Sequence, residues 1–167
     1  MSDWIYSDRE WEDVKDRVGH IESSNKYDIR GGYNNAYIGR YQLGKQTIKE
    51  ASKSLGIIIP EDKDLMNNPD LQDRMWKSYL GGAHNWLKNN SNVYRNMDES
   101  EQKRMLPMAQ FGAGNVKKLL DDNIMFKDAN GTPITKYRDA FKGYQWDSDM
   151  TDVILLDPIT VTPLNTE

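Results

Sequence analysis

Apolar residues recur at helical steps near the start of the chain. Trp11, Val14, Val18 and Ile21 follow one another at intervals of three, four and three, with Asp, Lys and Arg on the rest of the turn. Ser7 and Glu10 stand ahead of this stripe at capping-box spacing, in which a hydroxyl and a carboxylate each satisfy a free backbone N–H at a helix start. The pattern predicts a helix from here to Glu22. Gly31 and Gly32, then Asn34 and Asn35, mark a turn-rich stretch, and the aromatic and β-branched residues over 33–41 predict a short hairpin. Lys45 to Leu55 reads as a second helix, with Ile48, Ala51 and Leu55 on one face and Gly56 placed to stop it. Pro60 breaks any continuation. Asn68 and Pro69 form an N-cap and first-turn pair. Behind them Leu71, Met75, Trp76, Tyr79, Leu80, Ala83, Trp86 and Leu87 describe a long, largely buried helix.

Asp98 and Glu101 repeat the capping spacing and open a helix expected to reach about Leu106, where Pro107 interrupts it before the small-residue segment 109–114. A helical period restarts over 116–120, a polar turn about Gly131 fills 127–133, and a last helix is expected over 136–142. After that the chain changes character: 147–152 is acidic, 153–156 is an apolar run, and Pro158, Pro163 and several Thr follow. The pattern predicts one predominantly α-helical α+β domain over 1–146 and a tail or linker over 147–167. That tail either docks as an extended strand, on its own domain or on a partner, or stays disordered.

A chain of 167 residues can bury a core without disulfides or a metal. The net charge of -4 and a pI near 5.3 argue against nucleic acid as a partner, since phosphate binding needs a clustered basic surface. With no Cys, thiolate catalysis and Cys-based zinc sites are excluded. His20 and His84 are the only imidazoles and lack an HExxH spacing, so neither a metal nor any other cofactor is expected. The first twenty residues are charged throughout and lack the apolar stretch of a secretory signal or membrane span.

Glu22 closes the first predicted helix, with hydrocarbon from Ile21, Val18 and Val14 on one side and a polar loop from Ser23 onward on the other. An apolar setting raises a carboxyl pKa and fits it for general-acid work near neutral pH. A glutamate at a helix end is also an ordinary surface residue in most proteins, and position alone leaves both readings open.

Later segments favour the first. The stretch HIESSNKYDIRGGYNNAYIGRYQLG, followed downstream by MAQFGAGNVKKLL, resembles the lysozyme-like superfamily and, within it, the family-one lytic transglycosylases. That family's Glu-Ser pair, Gly-x-x-Gln element, Ala-Tyr-Asn-Ala-Gly element and downstream Tyr correspond to Glu22 with Ser23, to 39–42, to 109–114, and to Tyr137, with Tyr144 as competitor. The third element departs from the pattern: it is one residue longer, with Gln110 and Phe111 where Tyr and Asn are usual. The GRYQ form and the segment NGTPITKYRDAFKGY also resemble lysozyme-like proteins of phage particles.

The resemblance implies a lysozyme-like fold that cleaves the β-1,4 bond between N-acetylmuramic acid and N-acetylglucosamine in peptidoglycan, with Glu22 as catalytic acid. One carboxyl suffices for a lytic transglycosylase, which forms a 1,6-anhydro product. A muramidase needs a second carboxylate to position water, for which Asp28 is the nearest candidate. Tyr27, Tyr41 and Phe111 are candidates to stack on sugar faces. Gln42, with Ser23, Gln110 and Tyr137, is a candidate for polar contacts. A third possibility is a non-catalytic structural or glycan-binding part of a phage particle. Without a signal segment, the chain is expected to reach the periplasm or wall by a virion, a holin-opened membrane or a secretion apparatus, attached through its tail.

Overall fold

A computed structural model describes residues 4–149. The apolar run at 153–156, expected to serve attachment, lies outside the described residues. Helix α1 (Asp8–Ser23) starts on the capping box: the Ser7 hydroxyl accepts from Glu10 N at 3.2 Å, and Glu10 Oε1 accepts from Ser7 N at 2.8 Å. Trp11, Val14 and Val18 are buried along it. The helix ends where Ser24 turns left-handed at φ 54°.

Strands β1 (Arg30–Gly31) and β2 (Tyr37–Ile38) pair antiparallel, with Arg30 opposite Ile38 and Gly31 opposite Tyr37. The hairpin therefore begins before the stretch expected at 33–41. Tyr33–Asn35 is a 3-10 turn at its tip, because Asn34 and Asn35 take the left-handed backbone (φ 54° and 53°) that Asn tolerates better than most residues.

Helix α2 (Lys45–Leu55) stops at Gly56, whose φ of 69° suits a residue without a Cβ. The short α3 (Asp62–Met66) was not foreseen from the pattern. Helix α4 (Pro69–Asn90) starts with Asn68 accepting from Leu71 N at 3.1 Å and carries the centre of the core in Met75, Trp76, Leu80 and Leu87. Trp86, expected on the buried face, is 40% exposed: the buried stripe runs through 76, 80, 83 and 87, and position 86 lies one residue's rotation off it.

A second unforeseen short helix, α5 (Asn92–Asn96), precedes α6 (Glu99–Met105), which Asp98 caps. Pro107 does not end the helical path. It sits in the first turn of a 3-10 segment (Leu106–Phe111), where a missing N–H leaves no bond unmade. Helices α7 (Ala113–Asp122) and α8 (Thr135–Asp139) follow. Helix α8 is shorter than the 136–142 expected, the chain turning on to Gly143 at φ 75°. The result is a mostly helical α+β fold with a two-stranded sheet. No helix of the described residues is long and apolar enough to cross a membrane.

Two polar side chains of α4 fasten the loop and hairpin onto it. Fully buried Gln72 accepts from Arg40 N at 2.9 Å and donates to the carbonyls of Tyr27 and Leu65 at 3.0 and 2.9 Å. Asp73 accepts from the hydroxyls of Tyr41 and Tyr27 at 2.5 and 2.9 Å. At the other end, buried Lys103 pairs with Glu10 at 2.9 Å, and Asp147, at the start of the expected tail, meets Arg9 at 2.6 Å.

Candidate functional site

A cleft of about 720 Å³ opens where the end of α1, the hairpin, the 3-10 segment and α8 converge. Trp76 and Tyr79 of α4 line it, together with the exposed Tyr33 and Tyr37 of the hairpin and the 127–132 turn with Lys136. Glu22 lies in this wall. Its Oε2 accepts from the Gln110 side-chain amide at 2.6 Å and its Oε1 from the Tyr137 hydroxyl at 3.0 Å. Gln110 also donates to the Tyr41 carbonyl at 3.0 Å and accepts from the Trp76 indole N–H at 2.7 Å.

Burial holds the Glu22 carboxyl above its ordinary range, because losing water costs the charged form more than the neutral one. The Asp128 charge adds to the rise, while the bonds from Gln110 and Tyr137 and the charge on Lys136 work against it. Burial first, and the Glu22 carboxylate second, push the Tyr137 hydroxyl far up, so it stays protonated and able to donate. The arrangement suits a carboxyl that keeps its proton more firmly than an exposed one and, once ionised, is stabilised by two neutral donors.

Gln42, Gln110, Phe111 and Tyr137 all line the cleft with Glu22. Gln42 takes the left-handed backbone at φ 52° and donates to the Gly39 carbonyl at 2.9 Å; Phe111 packs edge-on to Tyr137, centroids 5.9 Å apart. Tyr144, the competitor of Tyr137, instead donates to Asp13 and lies over Arg9, away from Glu22.

Other expected residues lie elsewhere. Asp28 is exposed and does not line the cleft, because the chain after α1 leaves the wall before turning into β1. Ser23 faces the hairpin rather than the cleft: its hydroxyl donates to the Arg40 carbonyl at 2.8 Å and accepts from Lys26 N. Tyr27 also lies off the cleft, its ring under the Arg40 guanidinium and its hydroxyl on Asp73. Tyr41 borders the cleft but is 1% exposed, its ring stacked on Trp76 at 4.3 Å and 6°, which leaves no face open to a sugar.

The structure adds groups that the sequence reading did not select. Tyr33, 84% exposed, and Tyr37 add aromatic faces to the cleft lining. Two aromatics flanking an Asn-Asn turn were the available signal. Asp128 is the second carboxylate of the cleft, its Oδ1 accepting from Asn130 N and Thr132 N at 2.9 and 2.8 Å. The Asp-x-Asn-Gly spacing marks that turn. Trp76 carried no such signal, since its position in an apolar stripe conceals the use of its N–H. No group of three or more His, Asp or Glu among the described residues is placed to hold a metal ion. No family model, curated protein or solved structure matches this chain.

Proposed function

We propose that this chain is a lysozyme-like peptidoglycan-cleaving enzyme, acting as a lytic transglycosylase on the β-1,4 bond between N-acetylmuramic acid and N-acetylglucosamine. One observation carries the reading: Glu22 stands in the wall of an open cleft, raised by burial and held by Gln110 and Tyr137. The four family-like elements of the sequence support it, since each supplies at least one residue of this one cleft, and the Ser beside Glu22 braces the end of α1.

In this reading Glu22 gives its proton to the glycosidic oxygen as the C1–O bond breaks, leaving an oxocarbenium-like centre. The carboxylate then takes the proton of the sugar's C6 hydroxyl as O6 closes onto C1. Exposed Tyr33 and Tyr37 offer flat apolar faces to sugar rings. The GRYQ element and the 130–144 segment support a phage-associated setting, with delivery to the wall from a particle or secretion apparatus.

A hydrolytic muramidase is the second reading, and the presence of Asp128 in the cleft favours it over one relying on Asp28. Mass spectrometry of soluble products from purified peptidoglycan decides between them. Anhydro-muropeptides that vanish with Glu22→Gln are the expected result. Reducing-end muropeptides would turn the assignment to hydrolysis, and no release by the wild type would defeat both.

A further inference from the structure

We infer that Trp76 is a positioning residue for Glu22, acting through Gln110 to confine the transferable proton of the Glu22 carboxyl to Oε1. This rests on the reading of Glu22 as the acid and base of the reaction. A glutamine amide can present either end to a partner, and here both ends are decided by groups that cannot reverse. The indole of Trp76 has one N–H and no acceptor, and it donates to Gln110 Oε1 at 2.7 Å. The Tyr41 carbonyl has only lone pairs, and it accepts from Gln110 Nε2 at 3.0 Å. Flipping the amide would set N–H against N–H at one end and oxygen against oxygen at the other. Trp76 itself is fully buried, its ring stacked on Tyr41 at 4.3 Å and Trp11 at 5.2 Å, so its N–H cannot swing away.

Gln110 therefore only donates to Glu22, at 2.6 Å to Oε2. In a neutral carboxyl the carbonyl oxygen is a far better acceptor than the hydroxyl oxygen. An obligatory donor on Oε2 makes that oxygen the carbonyl and leaves the proton on Oε1, beside the Tyr137 hydroxyl at 3.0 Å. Tyr137 can rotate from acceptor to donor as Glu22 ionises, and Gln110 cannot. Across the cycle, Oε1 releases its proton to the glycosidic oxygen, Tyr137 turns to donate, and Oε1 regains a proton from the C6 hydroxyl. The other charged groups facing Glu22, Lys136 of α8 and Asp128 of the 127–132 turn, alter how readily it ionises without selecting an oxygen.

The test is an NMR titration of the protein with ¹³C-labelled glutamate carboxyls, following the Trp76 indole N–H over the same pH range. The indole resonance is expected to inflect at the Glu22 midpoint, and this inflection should disappear in Gln110→Met. Gln110→Met should also raise the Glu22 proton affinity by about tenfold, since Gln110 donates to Oε2 in both protonation states but bonds the carboxylate more strongly than the neutral carbonyl. Trp76→Phe should raise it in the same direction by less. Tyr137→Phe should raise it less than Gln110→Met, because the hydroxyl rotates to accept from the neutral carboxyl as well as to donate to the carboxylate, whereas Gln110 can only donate and so favours the ion.

An indole that stays flat through the Glu22 midpoint, an unchanged midpoint in Gln110→Met, or the reverse order of Gln110→Met and Tyr137→Phe would each overturn the inference. If Trp76→Phe does not fold, the wild-type indole titration and Gln110→Met still decide it. None of these readouts needs turnover, so an inactive protein with the full titration linkage would sink the enzymatic reading alone.

Discussion

The side-chain amide of Gln110 reaches the carboxylate of Glu22 at 2.6 Å across 88 positions of sequence. This bond joins the end of α1 to the 3-10 segment before α7, and with Tyr137 it ties three separated parts of the chain to one carboxyl. The ionisation of Glu22 is thus a property of the closed fold, and several outcomes follow from its environment.

Glu22 binds its proton more tightly in the folded than in the unfolded state. Its contribution to stability is therefore largest below the ordinary Glu range, declines as pH rises through the raised folded value, and is a constant cost above it. Glu22→Gln removes that cost while keeping the shape, and Tyr137 can rotate to accept from the new amide. At pH 7 we expect a melting temperature higher by about 2–4 °C, the scale of about 1 kcal/mol in a domain of this size. The gain should shrink at pH 4, while fragment release falls by about 100-fold or more. Calorimetry at the two pH values checks the first part, and a melting temperature lowered at both would reject it.

Lys136 and Asp128 pull the Glu22 carboxyl in opposite directions. A reaction that needs the protonated acid declines as pH rises through the Glu22 value. Lys136→Gln should therefore move the alkaline limb of kcat/KM to higher pH and Asp128→Asn to lower pH, each by less than about one unit, since water screens the exposed charges. A pH–rate profile in which both variants shift the same way would contradict this assignment.

Asp28 and Asp128 separate the two proposed modes of cleavage. Asp28→Asn should leave both the rate and the product pattern unchanged, because the side chain is exposed and outside the cleft. If water is the nucleophile, Asp128→Asn should lower reducing-end product by about tenfold or more. If the product is the anhydro sugar, it should change the rate only modestly. Quantifying the two product classes by mass spectrometry distinguishes the cases.

Gly39 illustrates a motif residue whose role is steric. It has φ +79°, and a Cβ there would stand 2.0 Å from the buried Gln72 side-chain oxygen. Gly39→Ala should cost about 2–4 kcal/mol through backbone strain and a displaced Gln72. The expected sign is a melting temperature lowered by about 5–15 °C, together with weakened attachment of the hairpin to α4. Thermal unfolding measures it, and a change under 2 °C would show that Gln72 moves aside freely.

Much of the architecture was legible because it follows from local rules. The Ser7–Glu10 box, the Asn68 and Asp98 caps and the Gly56 stop each lie within a few residues of what they control, so spacing alone reveals them. Helices α3 and α5 were hidden because five residues are too few to display an apolar period. The hairpin was misplaced because Tyr33 looks like a strand residue, while the left-handed Asn34 and Asn35 coil it into a turn.

For the site, the amino-acid sequence by itself determined a glutamate closing an amphipathic helix and the order of the elements after it. It also offered Gln42, Gln110, Phe111 and Tyr137, which share a cleft with that glutamate. Only the tertiary structure decided that Asp128 rather than Asp28 faces Glu22's cleft, that the ring of Tyr41 is spent on Trp76, and that Trp76 orients Gln110. The physical reason is the range of the forces involved. Caps and apolar periods act between neighbours along the chain. Desolvation of a carboxyl and the direction of a side-chain hydrogen bond depend on groups that meet only when distant segments pack.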